Sequence, residues 1–340
     1  MIYFQGVNLL LAIFSPVSRA ICALKSRLSR KGWIKSRRAP LPVISVGNIA
    51  FGGSGKTPLV MELLNWALGR GLKPALVTRG YKGRWEKEGG ILSDGLHLLG
   101  GWREAGDEPF MVARRFPEAG VFVGRHRYLS CAKARERGFD LAILDDGFQH
   151  LKLARDLDIV LMGGGSKPLR EGRRALRRAG ILLLDATSGA AGRTRFRAKF
   201  PGLKIFEYRL RPTGVFDLGT KRSSPPESVS GARAVAFCGI ARPERFFALL
   251  DALGVRLVEK LAFPDHYDYP PWSLERIGDA CRRHWPSALL TTEKDAVKIE
   301  DSARKFFPVP ILVLRIGLDL PGSFFDLLDP LAGRAGNRDA

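Results

Sequence analysis

The stretch Ala50-Phe51-Gly52-Gly53-Ser54-Gly55-Lys56-Thr57 limits the chain to few folds, because of its composition and of what flanks it. Before it, Leu41–Gly47 is a short apolar run with the character of a buried strand. After it, Pro58–Leu68 reads as a helix with proline in its first turn. Glycines let backbone N–H groups curl round a phosphate, and the helix N-terminus adds a favourable dipole. Lys56 is placed to reach β- and γ-phosphates, and the Thr57 hydroxyl suits Mg²⁺. The stretch predicts that the chain binds a nucleoside triphosphate.

The same alternation continues downstream. Strands are predicted at Pro74–Thr78, Gly120–Val123, Leu141–Leu144, Asp158–Met162 and Ile181–Leu184, with helices between them, notably Pro109–Phe116 and Tyr128–Arg137. This is the βαβ pattern of an α/β, P-loop NTPase-like fold: a mostly parallel sheet with helices on both faces. At Gly219–Gly231 the composition shifts to an exposed Ser- and Pro-rich connection. Strand patterns resume at Ala234–Cys238, Leu257–Phe263, Ala288–Thr291 and Ile311–Leu314, with helices at Pro243–Leu253 and Ser273–Arg283. The expected organisation is an N-terminal segment 1–38, a phosphate-loop unit 39–218, a linker 219–231 and a smaller α/β unit 232–330. The nucleotide is expected in the cleft between the units.

With 340 residues and 45% hydrophobic content the chain can bury a large core. Cys22, Cys131, Cys238 and Cys281 are scattered with no C-x-x-C pair, which argues for a reducing compartment and against a zinc site. The net charge of +21 calls for an anionic partner: nucleic acid, anionic lipid or a phosphorylated substrate. No Asp or Glu precedes Glu62, and residues 19–38 carry eight Lys or Arg. Ahead of them the longest clean apolar run is six residues, Leu9–Phe14, far short of the roughly 20 that span a bilayer. A signal peptide would place its charge first, and here the order is reversed. An apolar helix with a basic flank fits an interfacial anchor on an anionic leaflet, each Lys or Arg there contributing roughly 1 kcal/mol. The alternative is a helix packed on its own protein with a solvated basic face.

Leu141–Asp146 is an apolar strand ending in two carboxylates, the form of a Walker B, and a carboxylate there suits Mg²⁺ beside Thr57. Gly147-Phe148-Gln149-His150 follows at the strand's carboxyl end, where open α/β sheets bind ligands. Asp107-Glu108-Pro109 opens a helix, and read alone Asp107 suits a helix cap better than a catalytic role. Phe263–Tyr267, with His266, lies just past a strand of the second unit, open to a structural or a cleft role. Thr291–Lys298 has the same strand-end character, and its charges suit either a structural network or a ligand.

Together these residues resemble the tetraacyldisaccharide 4′-kinase family, the lipid A kinases of Gram-negative bacteria. The resemblance rests on Gly47–Pro58, Arg79-Gly80-Tyr81, Asp107-Glu108-Pro109, Asp145–His150, Leu169-Arg170-Glu171, Phe237–Ala241, Phe263–His266 and Thr291–Lys298, which run in family order. It implies transfer of the ATP γ-phosphoryl group to the 4′-hydroxyl of a tetraacyldisaccharide 1-phosphate. It implies a peripheral enzyme at the cytoplasmic face of the inner membrane, acting on an acylated disaccharide phosphate lipid at an anionic leaflet, with ATP and Mg²⁺, no nucleic acid and no obligate protein partner. By the same resemblance Lys56 and Thr57 hold phosphates and Mg²⁺, Asp145 and Asp146 lie in the metal shell with Gln149 and Glu171 near it, and Asp107 with His266 activates the hydroxyl. Arg79 and Arg127 are expected at the substrate, Arg127 on its phosphate. Two departures stand out: Gly163–Pro168 is shorter than the family's loop, and Gly180 stands where aspartate is usual. A P-loop NTPase acting on nucleic acid also accounts for the charge, but not for the apolar anchor. A non-catalytic ATP-gated membrane-binding module leaves Asp107 and His266 without a task.

Overall fold

The structure, a computed structural model, describes residues 2–50, 55–163, 168–299 and 306–336, so Phe51, Gly52, Gly53 and Ser54 of the expected phosphate loop lie outside the described residues. The strands are β1 (Val43–Asn48), β2 (Pro74–Thr78), β3 (Gly90–Asp94), β4 (Gly120–Val123), β5 (Leu141–Asp145), β6 (Leu157–Met162) and β7 (Ile181–Asp185). They continue with β8 (Lys204–Asp217), β9 (Ser223–Ser224), β10 (Arg233–Cys238), β11 (Arg256–Ala262), β12 (Ala288–Thr292) and β13 (Ile311–Asp319). The α-helices are α1 (Ile2–Arg30), α2 (Lys56–Gly69), α3 (Trp85–Glu88), α4 (Trp102–Ala105), α5 (Asp107–Arg115) and α6 (Arg127–Glu136). After them come α7 (Gly189–Lys199), α8 (Pro243–Ala252), α9 (Pro271–His284), α10 (Glu293–Ala296), α11 (Gly322–Asp326) and α12 (Asp329–Gly336).

The strands join in the order β11-β10-β12-β13-β8-β7-β6-β1-β5-β2-β4-β3. Pairing is parallel except at β3–β4, β13–β8 and the short β8–β9 ladder. Both faces of the phosphate-loop part are covered, which explains its unbroken apolar strands. Ile44, Val46, Leu76 and Ile143 face α2, while Val43, Ala75, Val77, Ala142 and Leu144 pack on the opposite side with Cys131 and Ala134 of α6. The second part repeats the scheme: Val235, Phe237 and Leu289 pack with Leu274 and Ile277 of α9, and Ala234, Ala236 and Leu290 with Phe246 and Leu250 of α8.

The structure departs from the sequence expectation at both ends of the second unit. The passage between the two parts of the sheet is β8, whose start pairs with β7 while residues 209–217 pair with β13. The stretch read as a linker, 219–231, holds β9 and a 3₁₀ turn at Pro226–Val229. The chain end expected in the second unit returns to the first: Leu318, Phe324, Leu328 and Leu331 bury against α2, and Glu62 Oε1 accepts the Leu318 N–H at 3.2 Å. Phe324, Leu328 and Leu331 recur at helical spacing, and the open α2 face is the surface that covers them.

Helix α1 packs through small polar groups. Ser15 Oγ donates to the Leu169 carbonyl at 2.8 Å, Ser18 Oγ to the Arg170 carbonyl at 3.0 Å, and Arg178 Nη1 to Ser26 Oγ at 3.3 Å. Val17, Ile21 and Leu24, spaced along another face, are 56%, 49% and 58% exposed. Among the described residues no helix is long and apolar enough to cross a membrane.

Candidate functional site

The site forms where β1, β2 and β5 end side by side. Val46 of β1 pairs with Asp145 of β5, so the strand that leads into the phosphate loop lies beside the one that ends in the paired carboxylates. Gly47 is needed there, since a Cβ would stand 2.5 Å from Phe148 Cβ. Gly55 precedes α2 at φ 83°, a left-handed turn that glycine makes without strain, and Lys56 begins the helix. Lys56 Nζ lies 2.6 Å from Asp146 Oδ1, and Arg170 Nη1 lies 3.0 Å from Asp146 Oδ2. Asp146 sits at φ 49°, a conformation uncommon for a non-glycine residue and tolerated best by Asp, Asn and His. Burial works against its charge, but Lys56 and Arg170 outweigh that and hold it well below the usual carboxylate range.

Asp145 is different. It accepts the Thr78 hydroxyl at 3.2 Å and makes no ion pair among the described residues. Burial pushes its carboxyl up to about 6, with Lys56 offsetting part of the rise.

The other end of the cleft begins one turn of backbone away. Thr57 Oγ1 donates to Glu108 Oε2 at 2.9 Å, and Glu108 is the neighbour of Asp107 at the start of α5. The capping preference for Asp107 is overturned: Gly106 is the N-cap, at φ 93°, and Asp107 turns its carboxylate to the second unit. His266 Nδ1 lies 2.9 Å from Asp107 Oδ2 and 3.1 Å from Oδ1. Lys298 Nζ lies 3.0 Å from Oδ2. Burial opposes the charge on Asp107, and His266, Lys294 and Lys298 together bring it well below the usual carboxylate range. On the far side of the ring, Lys294 Nζ lies 3.2 Å from His266 Nε2, 3.0 Å from Asp265 Oδ1 and 3.3 Å from Glu108 Oε1. An ammonium only donates and a carboxylate only accepts, so these contacts select the tautomer with its proton on Nδ1. Tyr81 packs edge-on against the ring at 5.6 Å. The cleft here has a volume of about 340 Å³ and opens between Tyr81, Gly106 and Asp107 on one side and His266, Asp268 and Lys298 on the other.

Other expected site residues are placed elsewhere. Ala50 bridges to Leu169, tying the start of the loop to the segment before Glu171. Glu171 and Gln149 do not join the Asp145–Asp146 pair. Both Glu171 oxygens are taken by Arg178, at 2.8 and 3.2 Å, and Gln149 Nε2 reaches Glu171 at 3.3 Å and the Asn48 carbonyl at 2.9 Å. That network sits beneath α1, and among the described residues no group of three or more carboxylate, His or Cys side chains could hold a metal. Arg127 is buried behind the carboxylates, its Nη1 on the Gly124 carbonyl and its Nε without a partner among the described residues. Burial lowers its pKa to about 10, against the pull of Asp145 and Asp146. Arg79 is exposed and pairs with Glu86 at 2.6 Å.

Sequence reasoning gave Glu108, Arg170 and Arg178 no partner of their own. Glu108 and Arg170 lie inside quoted motifs and Arg178 ends a charge run, but nothing in the spacing says which carboxylate or hydroxyl each meets.

The family model for tetraacyldisaccharide-1-P 4′-kinase matches residues 7–332. The chain belongs to the tetraacyldisaccharide 4′-kinase family. The chain is 36% identical over 343 residues to the tetraacyldisaccharide 4′-kinase of Syntrophus aciditrophicus, covering 94% of this chain and 92% of the relative. It is 38% identical over 322 residues to that of Desulfotalea psychrophila, with 88% and 91% covered. Among solved structures it is similar to LpxK from Aquifex aeolicus in complex with ATP, at 29% identity and a TM-score of 0.74 over 97% of this chain and 99% of that one. Kinase family membership sets aside the reading as a nucleic-acid NTPase.

Proposed function

We propose that this kinase transfers the γ-phosphoryl group of ATP to the 4′-hydroxyl of a tetraacyldisaccharide 1-phosphate at the cytoplasmic face of an anionic inner membrane. The observation that carries the reading is the Asp107–His266 pair, at 2.9 Å, one residue from the Glu108 that touches the phosphate-loop Thr57. A carboxylate oriented by an imidazole stands at the wall of an open cleft, next to the place where the γ-phosphate is held.

Each residue then has a physical task. Lys56 exchanges the Asp146 carboxylate for phosphate oxygens when nucleotide binds, and stabilises the charge spread over them in a loose transition state. Asp107 accepts the proton of the sugar hydroxyl, and His266 keeps the carboxylate turned to it. Thr57, Asp145 and Asp146 offer the hard oxygen donors that Mg²⁺ takes, together with phosphate oxygens. Asp145, buried and without an ion pair among the described residues, is the carboxylate that such a cation would neutralise. When bound, Mg²⁺ would neutralise part of the phosphate charge. Gln149 and Glu171 serve instead as the Arg178-linked support beneath α1. The exposed Val17, Ile21 and Leu24 face, with the basic 19–38 flank, rests on the membrane surface and brings the cleft to its lipid.

The test is transfer of label from γ-labelled ATP to detergent-dispersed disaccharide 1-phosphate lipid. A single 4′-phosphorylated product is expected. Binding or hydrolysis of ATP without a lipid product sinks the proposal.

A further inference from the structure

Lys298 is an unusual lysine. Its side chain is 2% exposed, and its ammonium touches Asp107 Oδ2 and the Tyr267 carbonyl, each at 3.0 Å. It comes from the turn after α10, and it crosses to a carboxylate on the phosphate-loop unit. A buried ammonium is expensive unless paired, so the contact is a built one. The platform beneath it is tied down as well. The buried Asp295 accepts the Gly239 N–H at 3.0 Å, the Tyr269 hydroxyl at 2.9 Å and the Thr292 hydroxyl at 2.6 Å, and the Lys298 N–H donates to the Asp295 carbonyl at 3.0 Å.

We propose that Lys298 is a positioning residue for the phosphoryl acceptor, which fixes Asp107 by its Oδ2 so that the hydroxyl proton is taken by Oδ1. This rests on Asp107 being the base, as proposed above. Oδ2 is engaged by Lys298 and by the shorter His266 contact, whereas Oδ1 has the Glu108 N–H at 2.9 Å and the longer His266 contact. In the step, the acceptor O–H proton passes to Oδ1 and its electron pair goes to the γ-phosphorus, while the bond from that phosphorus to the bridging oxygen breaks and ADP leaves. Phosphoryl transfer through a loose transition state asks little basicity of the base, so an oriented, ionised carboxylate matters more than a strongly basic one.

The charged groups bearing on Asp107 are His266, Lys294 and Lys298 from the second unit and Glu108 on its own helix, with Lys82, Arg103 and Asp268 lining the cleft beyond. Removing Lys298 takes away one group that offsets burial, while Lys294 and the His266 N–H remain to keep the carboxylate ionised, so the loss falls on its orientation.

The test compares Lys298→Met, Asp107→Asn and the double variant in the full chain, with labelled ATP and dispersed lipid. Lys298→Met is expected to lower kcat by about 10- to 100-fold with the KM for ATP unchanged. In the Asp107→Asn background it is expected to cost less than about threefold, because it acts through that carboxylate. The double variant carries no unpaired buried charge, which keeps the comparison available if Lys298→Met alone folds poorly. A fall in kcat matched by a rise in the KM for ATP, or costs that multiply in the double variant, overturns the proposal and leaves Lys298 as a clasp between the units. Near-wild-type turnover by Asp107→Asn instead overturns the base assignment beneath it.

Discussion

The two ends of the cleft are assembled in opposite ways. At the nucleotide end, Lys56 and Thr57 follow one strand and Asp145 and Asp146 end its neighbour, so short contiguous motifs deliver the groups and the β1–β5 register brings them together. At the acceptor end, Asp107 begins a helix of the phosphate-loop unit, whereas His266 comes from the loop after β11 and Lys294 and Lys298 from α10 and the turn after it, all in the second unit. The first arrangement depends on local backbone geometry and survives small shifts between units. The second exists only while the units meet, so it is the end that domain geometry, pH and substitutions at the interface should disturb.

The largest expected effect lies at the nucleotide end. Lys56→Ala should lower kcat by about 10³-fold or more, since it removes the cation over the transferred group, while the fold persists because Arg170 still pairs with Asp146. Near-normal lipid phosphorylation by a folded Lys56→Ala protein would break the comparison at its firmer end. Asp107→Asn should lower kcat by at least about 100-fold with ATP affinity almost unmoved, and should lower the melting temperature because it leaves the buried Lys298 ammonium without its carboxylate. A variant within a few-fold of wild type would send the search for the base to Asp146.

A smaller effect should separate the ends by substrate. Changing Val17, Ile21 and Leu24 together to Ser keeps the serine face of α1, which makes the contacts to Leu169 and Arg170. It should weaken binding to anionic vesicles by about tenfold or more and raise the KM for lipid, not that for ATP. Equal changes in both KM values would mean that α1 supports the whole fold and not lipid delivery.

The smallest effect is in stability. Asp145 has a carboxyl raised to about 6 in the fold, above its unfolded value near 3.9. Between those values the folded state binds the extra proton, so its ionisation costs stability as pH rises through the window. Asp145→Asn should therefore stabilise the nucleotide- and metal-free protein at pH 7 by about 1–3 kcal/mol while abolishing turnover. Denaturant melts at pH 4 and pH 7 check this: a gain that is no larger at pH 7 than at pH 4 would refute it.

Much of this was legible in the residues. The apolar runs of β1, β2, β4, β5 and β7 announce themselves because both faces are buried, and the loop, Walker B pair and Asp107–His266 motifs are short and ordered. β8 was not legible. Its Glu207, Arg209 and Arg211 are interleaved with Phe206, Tyr208 and Leu210, and Pro212 interrupts it, so no apolar run marks the strand that joins the two parts of the sheet. Glu171 misled for a related reason: a motif fixes its neighbours, not its partner, and Arg178 claims it. Helix-start chemistry alone favours a cap for Asp107, and it was the family resemblance that paired it with His266; in the structure the second unit's His266 and Lys298 meet the carboxylate.

The sequence by itself determined the phosphate-loop α/β fold, the family and the residues that carry charge at the strand ends, because those follow from local backbone conformation and from hydrophobic periodicity. Tertiary structure alone decided which carboxylate is paired and which is buried without an ion pair among the described residues, that the chain's end returns to α2, that α1 turns Ser15, Ser18 and Ser26 inward and Val17, Ile21 and Leu24 out, and that a buried lysine meets Asp107. Those outcomes depend on desolvation and on contacts between residues far apart in the chain, and neither is encoded at any one position.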